Sequence, residues 1–566
     1  MEPLGVAAGA GSPAASRPAL AWTALFAAFA AVALVVYRPA LSGAFVADDF
    51  GYIVANPYVR DLSWQTLLAL LDPWGAPALY TANWAPVHLL GHAVEWQLWG
   101  PRVEGYHVVN VLGHAAVSTL LVAWLASRGL PFAVCALGGA FFLVHPANVE
   151  AVAWIFQLKT ILALGLSLAA LLVHPRSGAL GLLLFGLALL TKASALFALP
   201  VAAVLWWCSA GDPSSGWRRN GPWLLGWALL LALYSQPQFF SFERMGRTPE
   251  PLAEGAAATF RTIVAIGGRY LAMGASGYGV SAFHSPPAAQ SWLDPWWLAG
   301  LGLGALLAGR CMVALAGRRE DAAHWAGAAA AWAPVSQIFP FLYPMADRYL
   351  YFILPGLIGG GLCWLRQVAP RALPARPPGV AIAVAAVALL GLASWSHQRA
   401  GVWLDDATLT RDAARHYPDG LLGRVARAQE AAARGDAEAA GAALEAAAER
   451  GFDNFLHLVS DPSWARVRGT PPFRRARAAV TRVWLRHNLA MQAPGQADLR
   501  KRGTAYLLLG ERDRAEAALA AALERGGAFD AEVRRELAEL RARLRADERR
   551  RERREHEARP DADGPR

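Results

Sequence analysis

Two adjacent acids, Asp48 and Asp49 in "FVADDFGYIVAN", follow the first long apolar run of this chain. Further polar groups stand at the ends of later apolar runs. They are His145 and Glu150 in "HPANVEAVAW", Lys159 just beyond, Lys192 in "TKAS", and Asp347 with Arg348 in "YPMADRYLY". Ionisable groups in a membrane are costly unless they face a cavity or a partner, so these are the first candidates for a site. A partly desolvated carboxylate among neighbours has its pKa raised toward the working range of a general base. Arginine suits a phosphate through paired hydrogen bonds and lysine through point charge. A base beside such a clamp fits transfer from a lipid-linked phosphate donor to a hydroxyl acceptor. Plainer roles exist for each group. A single acid after a span marks a boundary, Lys159 can snorkel, Arg348 can pair with Asp347, and His145 before Pro146 can cap a helix end.

The elements that must position these groups are helices in a bilayer. The chain has 566 residues, 55% hydrophobic and only 17% charged, with mean hydropathy +0.28. Its charge is segregated, with residues 1–400 apolar and Trp-rich and residues 401–566 rich in Ala, Arg and Glu. That asymmetry predicts an all-α chain, a polytopic helix bundle followed by a soluble helical domain. Apolar runs place about eleven spans of roughly 20 residues each. They lie near 19–38, 106–127, 131–145, 151–173, 178–191, 194–209, 222–236, 293–309, 324–341, 348–365 and 379–397. Residues 255–275 contain Arg261 and Arg269 and read as an interfacial helix. The organisation expected is a cytoplasmic segment 1–18, a membrane domain 19–400 with a large first loop 39–105, a soluble domain 401–540 and a charged tail 541–566. Nothing in the N-terminus reads as a cleaved signal.

Lys and Arg of the short loops alternate with the acid-rich loop 39–105, which puts that loop outside the cytoplasm. An odd span count then carries residues 401–566 to the same side as Asp48 and Asp49. The net charge of +10 sits largely in short loops and in the tail, so it reads as topology and no nucleic-acid partner is expected. The four cysteines form no CxxC pair and predict neither a metal knot nor a disulfide framework. His107, Asn110 and His114 share one helix face and read as an interhelical hydrogen-bond seam.

In the soluble half, "AEAAGAALEAAAERG" and "DRAEAALAAALERG" are self-similar, and their closing residues Gly451 and Gly526 lie 75 apart. That offset is close to two periods of a repeat of about 34 residues. Each is preceded by another helical stretch and a turn, so the segment resembles tetratricopeptide repeats. Such stacks bind peptides or partner proteins.

The ordered set "FVADDFGYIVAN", "YHVVNVLGHAAVSTLL", "FFLVHPANVEAVAWIFQLKTILA", "LALLTKASALFALPVAAVLW" and "PVSQIFPFLYPMADRYLY" resembles the transmembrane-and-tetratricopeptide O-mannosyltransferases and their bacterial relatives. These fall within the C-type glycosyltransferase superfamily. The resemblance implies a polyprenyl-phosphate sugar donor, mannose above others, used on the extracytoplasmic face with inversion. It implies that one of Asp48 and Asp49 is the base, without saying which, and that Arg348 in the "ADR" element meets the leaving phosphate. Lys192 and Lys159 join that phosphate set, with His145, Glu150 and Asp347 supporting. The acceptor is then a protein or peptide brought by the repeats, and the setting a bacterial inner membrane with the repeats in the periplasm. Asp48 and Asp49 are also oxygen-ligand candidates for Mg or Mn. The chain departs from the family pattern at Ala85, where relatives have Arg before Pro, and at Leu158, where they have Arg before Lys. Arg244, Arg247, Arg261 and Arg269 are available replacements. The departures keep a second reading open, a non-catalytic scaffold whose repeats assemble an envelope complex.

Overall fold

The structure, a computed structural model, describes residues 19–209, 213–244, 252–341, 343–372 and 378–557. The expected segment 1–18 lies outside them. Every regular element among the described residues is helical, with no β-strand. The chain forms two compact units. One comprises residues up to 62, 85–236 and 249–417; the other comprises 63–84, 237–248 and the residues from 418 onward.

In the first unit, hydropathy and helix length diverge. Among the described residues six helices are long and apolar enough to cross a membrane: Ala19–Val36, Val103–Ser127, Ile155–Val173, Pro295–Ala316, Asp347–Val368 and Gly379–Leu404. A seventh span results if Phe132–Leu143 and Pro146–Ala153, bent by 54°, count as one. Of the remaining apolar runs, 222–236 lies within the 32-residue helix Pro213–Arg244, whereas others stop short. Gly178–Leu189 and Asp321–Trp332 have 12 residues each, which rise only ~18 Å against a hydrocarbon core of ~30 Å. Hydropathy counts apolar residues and does not register where a helix stops. Helix Ala256–Ser276 is not among the six; it packs closely on Pro295–Ala316, where a Cβ on Gly268 would lie 2.7 Å from the Gly300 nitrogen.

The breaks are held by the polar face of helix Val103–Ser127. Broken helices expose carbonyls that water cannot satisfy inside a bilayer, so side chains must. Asn110 Nδ2 donates to the carbonyls of Trp154 and Ile155 at 3.1 and 3.3 Å. His114 Nε2 donates to Leu143 at 3.0 Å, leaving Nδ1 to accept from the Tyr351 hydroxyl at 2.8 Å. His107 reaches Gly43 at 3.3 Å. The expected seam is present, and its partners are the chain breaks. Asn148 Nδ2 to Phe142 and Ser396 Oγ to Val144, both 2.7 Å, complete the set.

One further contact fixes which helix ends share a face. Ala44 N donates to Leu404 O at 2.8 Å, and Ala47 N to Asp406 Oδ1 at 3.1 Å. The end of the last apolar helix therefore meets the end of the first, whatever the span count. The Trp154 and Trp403 rings stack beside them, 5.3 Å apart.

The second unit is built of helical hairpins. Leu421–Arg434 pairs with Ala437–Glu449, and Gln496–Leu509 with Arg512–Arg525. Gly435 (φ 79°) and Gly510 (φ 80°) close the two turns in the left-handed region, where a side chain is strained. They share the 75-residue offset seen in the sequence. Small residues let the helices approach: a Cβ on Gly503 would lie 2.8 Å from Leu519 Cγ. Between the hairpins Trp464 and Phe473 are fully buried, their rings 5.5 Å apart. Helix Asp530–Glu557 runs without interruption through residue 540 and seats Val533, Leu537 and Leu540 inward. Residues 558–566 of the expected tail lie outside the described residues. The 63–84 stretch of the first loop belongs to this unit, with Tyr80 stacked 5.8 Å from Phe529.

A Gly510→Ala exchange meets open space but keeps the positive φ. It is expected to cost about 1 kcal/mol. Hydrogen exchange on the full chain should show it as faster opening of 496–525 alone; unchanged exchange there would contradict the strained-turn account.

Candidate functional site

Asp48 and Asp49 diverge in role. Asp48 is exposed, whereas Asp49 is buried. Asp49 accepts from the backbone N–H of Val46 at 2.9 Å and of Phe156 at 2.8 Å, one on each oxygen. It thereby ties the loop after the first helix to the start of Ile155–Val173. Burial pushes its carboxyl well above the usual range, against the pull of the two amides. The chain then turns through Phe50–Val54, a single π-helical turn, which presents Tyr52.

The cations gather around Lys159, on which Asp48 also acts. Lys159 is half-buried, with Nζ 3.6 Å from the Phe156 ring centroid and 5.5 Å from that of Tyr52. It feels the charges of Asp48 and Arg348. Lys192 Nζ donates to Thr160 Oγ1 at 2.7 Å, and Thr160 in turn donates to Gln157 Oε1 at 2.6 Å. Burial, then the charges of Lys159 and Arg348, push the Lys192 ammonium well below its ordinary value. Like charges held this close favour an anion among them.

Arg348 is fixed by Glu150. Its backbone N–H donates to Glu150 Oε2 at 2.7 Å, and its guanidinium donates to the other carboxylate oxygen. The guanidinium also lies 5.1 Å from the Tyr343 and Tyr349 ring centroids and 5.7 Å from that of Trp154. Asp347 does not pair with its neighbour. It receives His284 Nε2 at 2.6 Å and Ser281 N at 3.1 Å, and so anchors the 281–284 loop. His145 stands apart, capping its own turn by accepting from Ala147 N at 3.2 Å with Phe141 against its ring. The structure therefore brings Asp48, Lys159, Lys192, Arg348 and Glu150 into one electrostatic neighbourhood, with Asp49 beneath it, while Asp347 and His145 serve the surrounding loops.

The two departures from the family pattern fall on buried positions. Leu158 packs toward helix Pro86–Trp99, where a Cβ on Gly91 would meet its Cδ2 at 3.2 Å. Ala85 precedes that helix. Of the replacement cations, Arg261 and Arg269 each lie 4.7 Å from a tryptophan ring, Trp292 and Trp296. Arg247 and the Arg244 side chain lie outside the described residues. As for Mg or Mn, both oxygens of Asp49 are spent on amides and Glu150 is committed to Arg348. No group of three or more His, Cys, Asp or Glu able to hold a metal occurs among the described residues.

The sequence did not mark Tyr52, Phe156 or Thr160, which lie on the π turn and just before and after Lys159. Nor did it mark His284 or Asp412, which meet the site's loops from distant segments. Asp412 accepts from Ala282 N at 2.9 Å and from the Arg399 guanidinium. Only their proximity in sequence to Asp49 and Lys159 could have suggested the first three.

Fold and site together define an integral membrane helix bundle with an acid beside a cation cluster at one end. Stretches of the chain are similar to known proteins. It is 38% identical over 127 residues to protein O-mannosyl-transferase Tmtc1 of Drosophila melanogaster, covering 22% of this chain and 15% of that protein. It is 30% identical over 183 residues to a protein O-mannosyl-transferase of Caenorhabditis elegans, covering 30% and 26%. It is 33% identical over 159 residues to TMTC1 of Mus musculus, covering 26% and 16%. The aligned stretches thus span about a quarter or less of these relatives. No protein-family model and no solved structure matches the chain.

Replacing Asp49 by Asn leaves one backbone N–H facing an amide donor; the expected loss is about 1–3 kcal/mol. Replacing exposed Asp48 by Asn is expected to stay within about 0.5 kcal/mol. Thermal unfolding in detergent checks this; equal midpoints for the two variants would contradict the division of roles.

Proposed function

We propose that the chain is an inverting glycosyltransferase that moves a hexose, mannose by its relatives, from a polyprenyl phosphate to a protein Ser or Thr hydroxyl. The observation that carries the reading is the exposed Asp48 acting on half-buried Lys159, which in turn shares its surroundings with half-buried Lys192 and Arg348. Asp48 takes the proton of the acceptor hydroxyl. The acceptor oxygen then forms a bond to the anomeric carbon on the face opposite the phosphate. The carbon–oxygen bond to phosphate breaks, and its electron pair leaves with the phosphate. The two lysines and the remaining N–H groups of Arg348 receive that charge. Asp49 is a positioning residue that holds Asp48 through the backbone. No step is routed through a divalent ion.

We place the site on the extracytoplasmic face of a bacterial inner membrane. Supporting this are the Lys and Arg bias of the opposite loops and the Ala-, Arg- and Gly-rich composition. The contact of residues 44–47 with 404–406 puts the start of the chain segment leading to the second unit at the same end as Asp48. The hairpins, read as tetratricopeptide-like, would present a protein acceptor from the periplasm.

Purified protein supplied with polyprenyl-phosphate mannose and a Ser/Thr peptide should transfer the sugar. Asp48→Asn should lower kcat/KM by about 10²–10⁴-fold, the usual range for removing a general base. Absence of transfer by wild type with any polyprenyl-phosphate hexose, with or without Mg or Mn, would contradict the enzyme reading. Retained protein partners in that case would favour the scaffold.

A further inference from the structure

The first-loop helix Pro86–Trp99 carries a buried polar row that the mechanism above does not use. His88, His92 and Glu95 fall at i, i+4 and i+7, on one face, and are 0%, 0% and 4% exposed. His92 Nδ1 and Glu95 Oε2 are 2.7 Å apart. This contact turns the Nδ1 edge of the His92 ring toward Glu95 and its Nε2 edge away from it. His92 Nε2, Glu95 Oε1 and both nitrogens of His88 have no partner at hydrogen-bond geometry among the described residues, and the Phe156 backbone beside His88 pulls on its proton only weakly against burial. Buried polar atoms left in this state are uncommon and point to an absent partner.

The surroundings indicate what that partner is. The His88 ring lies 4.6 Å from His92, 5.4 Å from Phe156 and 6.1 Å from Tyr52, by centroids. Lys159 is seated on those same Phe156 and Tyr52 rings, and both Lys159 and Lys192 act on His88. Burial first, then His92 and the two lysines, hold His88 well below its ordinary value and keep it neutral. A neutral imidazole offers one N–H and one lone pair, which matches a hydroxyl. A phosphate, an acceptor only, is better served by the ammonium groups alongside. Ala85, one turn earlier, offers no side-chain polar atom in its place.

We propose that His88, oriented through His92 and Glu95, binds a hydroxyl of the transferred sugar while Lys159 and Lys192 bind the adjoining phosphate. This rests on the glycosyltransferase reading. Tyr52, half-buried on the π turn, is the nearest ring to His88 on that turn, 6.1 Å away by centroids. Such turns recur at functional sites.

The test is equilibrium binding to the full chain in lipid nanodiscs, using polyprenyl-phosphate mannose and, in parallel, polyprenyl phosphate without sugar. His88→Phe should weaken the sugar-bearing ligand about tenfold and leave the bare phosphate within about twofold. Should His88→Phe not accumulate folded, His88→Leu is carried through the same assay with the same split expected. Equal affinity of wild type and variant for the sugar-bearing ligand overturns the inference, as does equal weakening of both ligands. Failure of wild type to bind either ligand instead overturns the glycosyltransferase reading, so the two failures are distinguishable.

Discussion

The site depends on one buried pair, Glu150 with Arg348. Glu150 lies on the short helix Val149–Ala153, just past the bend that ends Phe132–Leu143, and Arg348 begins the long helix that runs to Val368. One carboxylate takes both the backbone N–H and the guanidinium of Arg348, so it fixes where that helix starts as well as where its charge points. Removing one partner from such a pair strands a buried charge, which costs more than the pair contributes. The aromatic rings of Trp154, Tyr343 and Tyr349 surround the guanidinium and leave its remaining donors few directions.

Around that pair the breaks in the helices become the means of positioning. An unbroken helix through residues 145–158 would tie up the Phe156 N–H within the helix. The His145–Pro146 bend and the Trp154 break instead turn the backbone so that Phe156 N can reach Asp49. The carbonyls freed by those breaks are taken up by Asn110 and His114. Asp49 then holds the first loop to the same backbone, and Asp48 is presented outward beside Lys159.

Much of this was legible in the sequence, for a physical reason. Polar residues are costly in apolar runs, so Asp48, Lys159, Lys192, Glu150 and Arg348 stood out by composition alone. The hydrogen-bond seam of His107, Asn110 and His114 followed from helical spacing, and the paired hairpins from self-similarity ending in Gly451 and Gly526. Span count was less legible, because runs such as 178–191 and 324–341 are apolar enough yet stop short as helices. The different fates of Asp48 and Asp49 were not legible either. They depend on which side chain meets the amide of Phe156, 107 positions away. Asp347 looked like a partner for Arg348 and instead holds His284, which no local pattern links to it.

The central claim is that the cluster receives a lipid-linked phosphate. It is tested most directly by binding of short-chain polyprenyl phosphate to the full chain with Lys159→Gln and Lys192→Gln introduced singly and together. The account predicts that each substitution weakens binding about 10- to 100-fold, as for loss of a charge-assisted hydrogen bond. Binding that is unchanged in the double variant would contradict it.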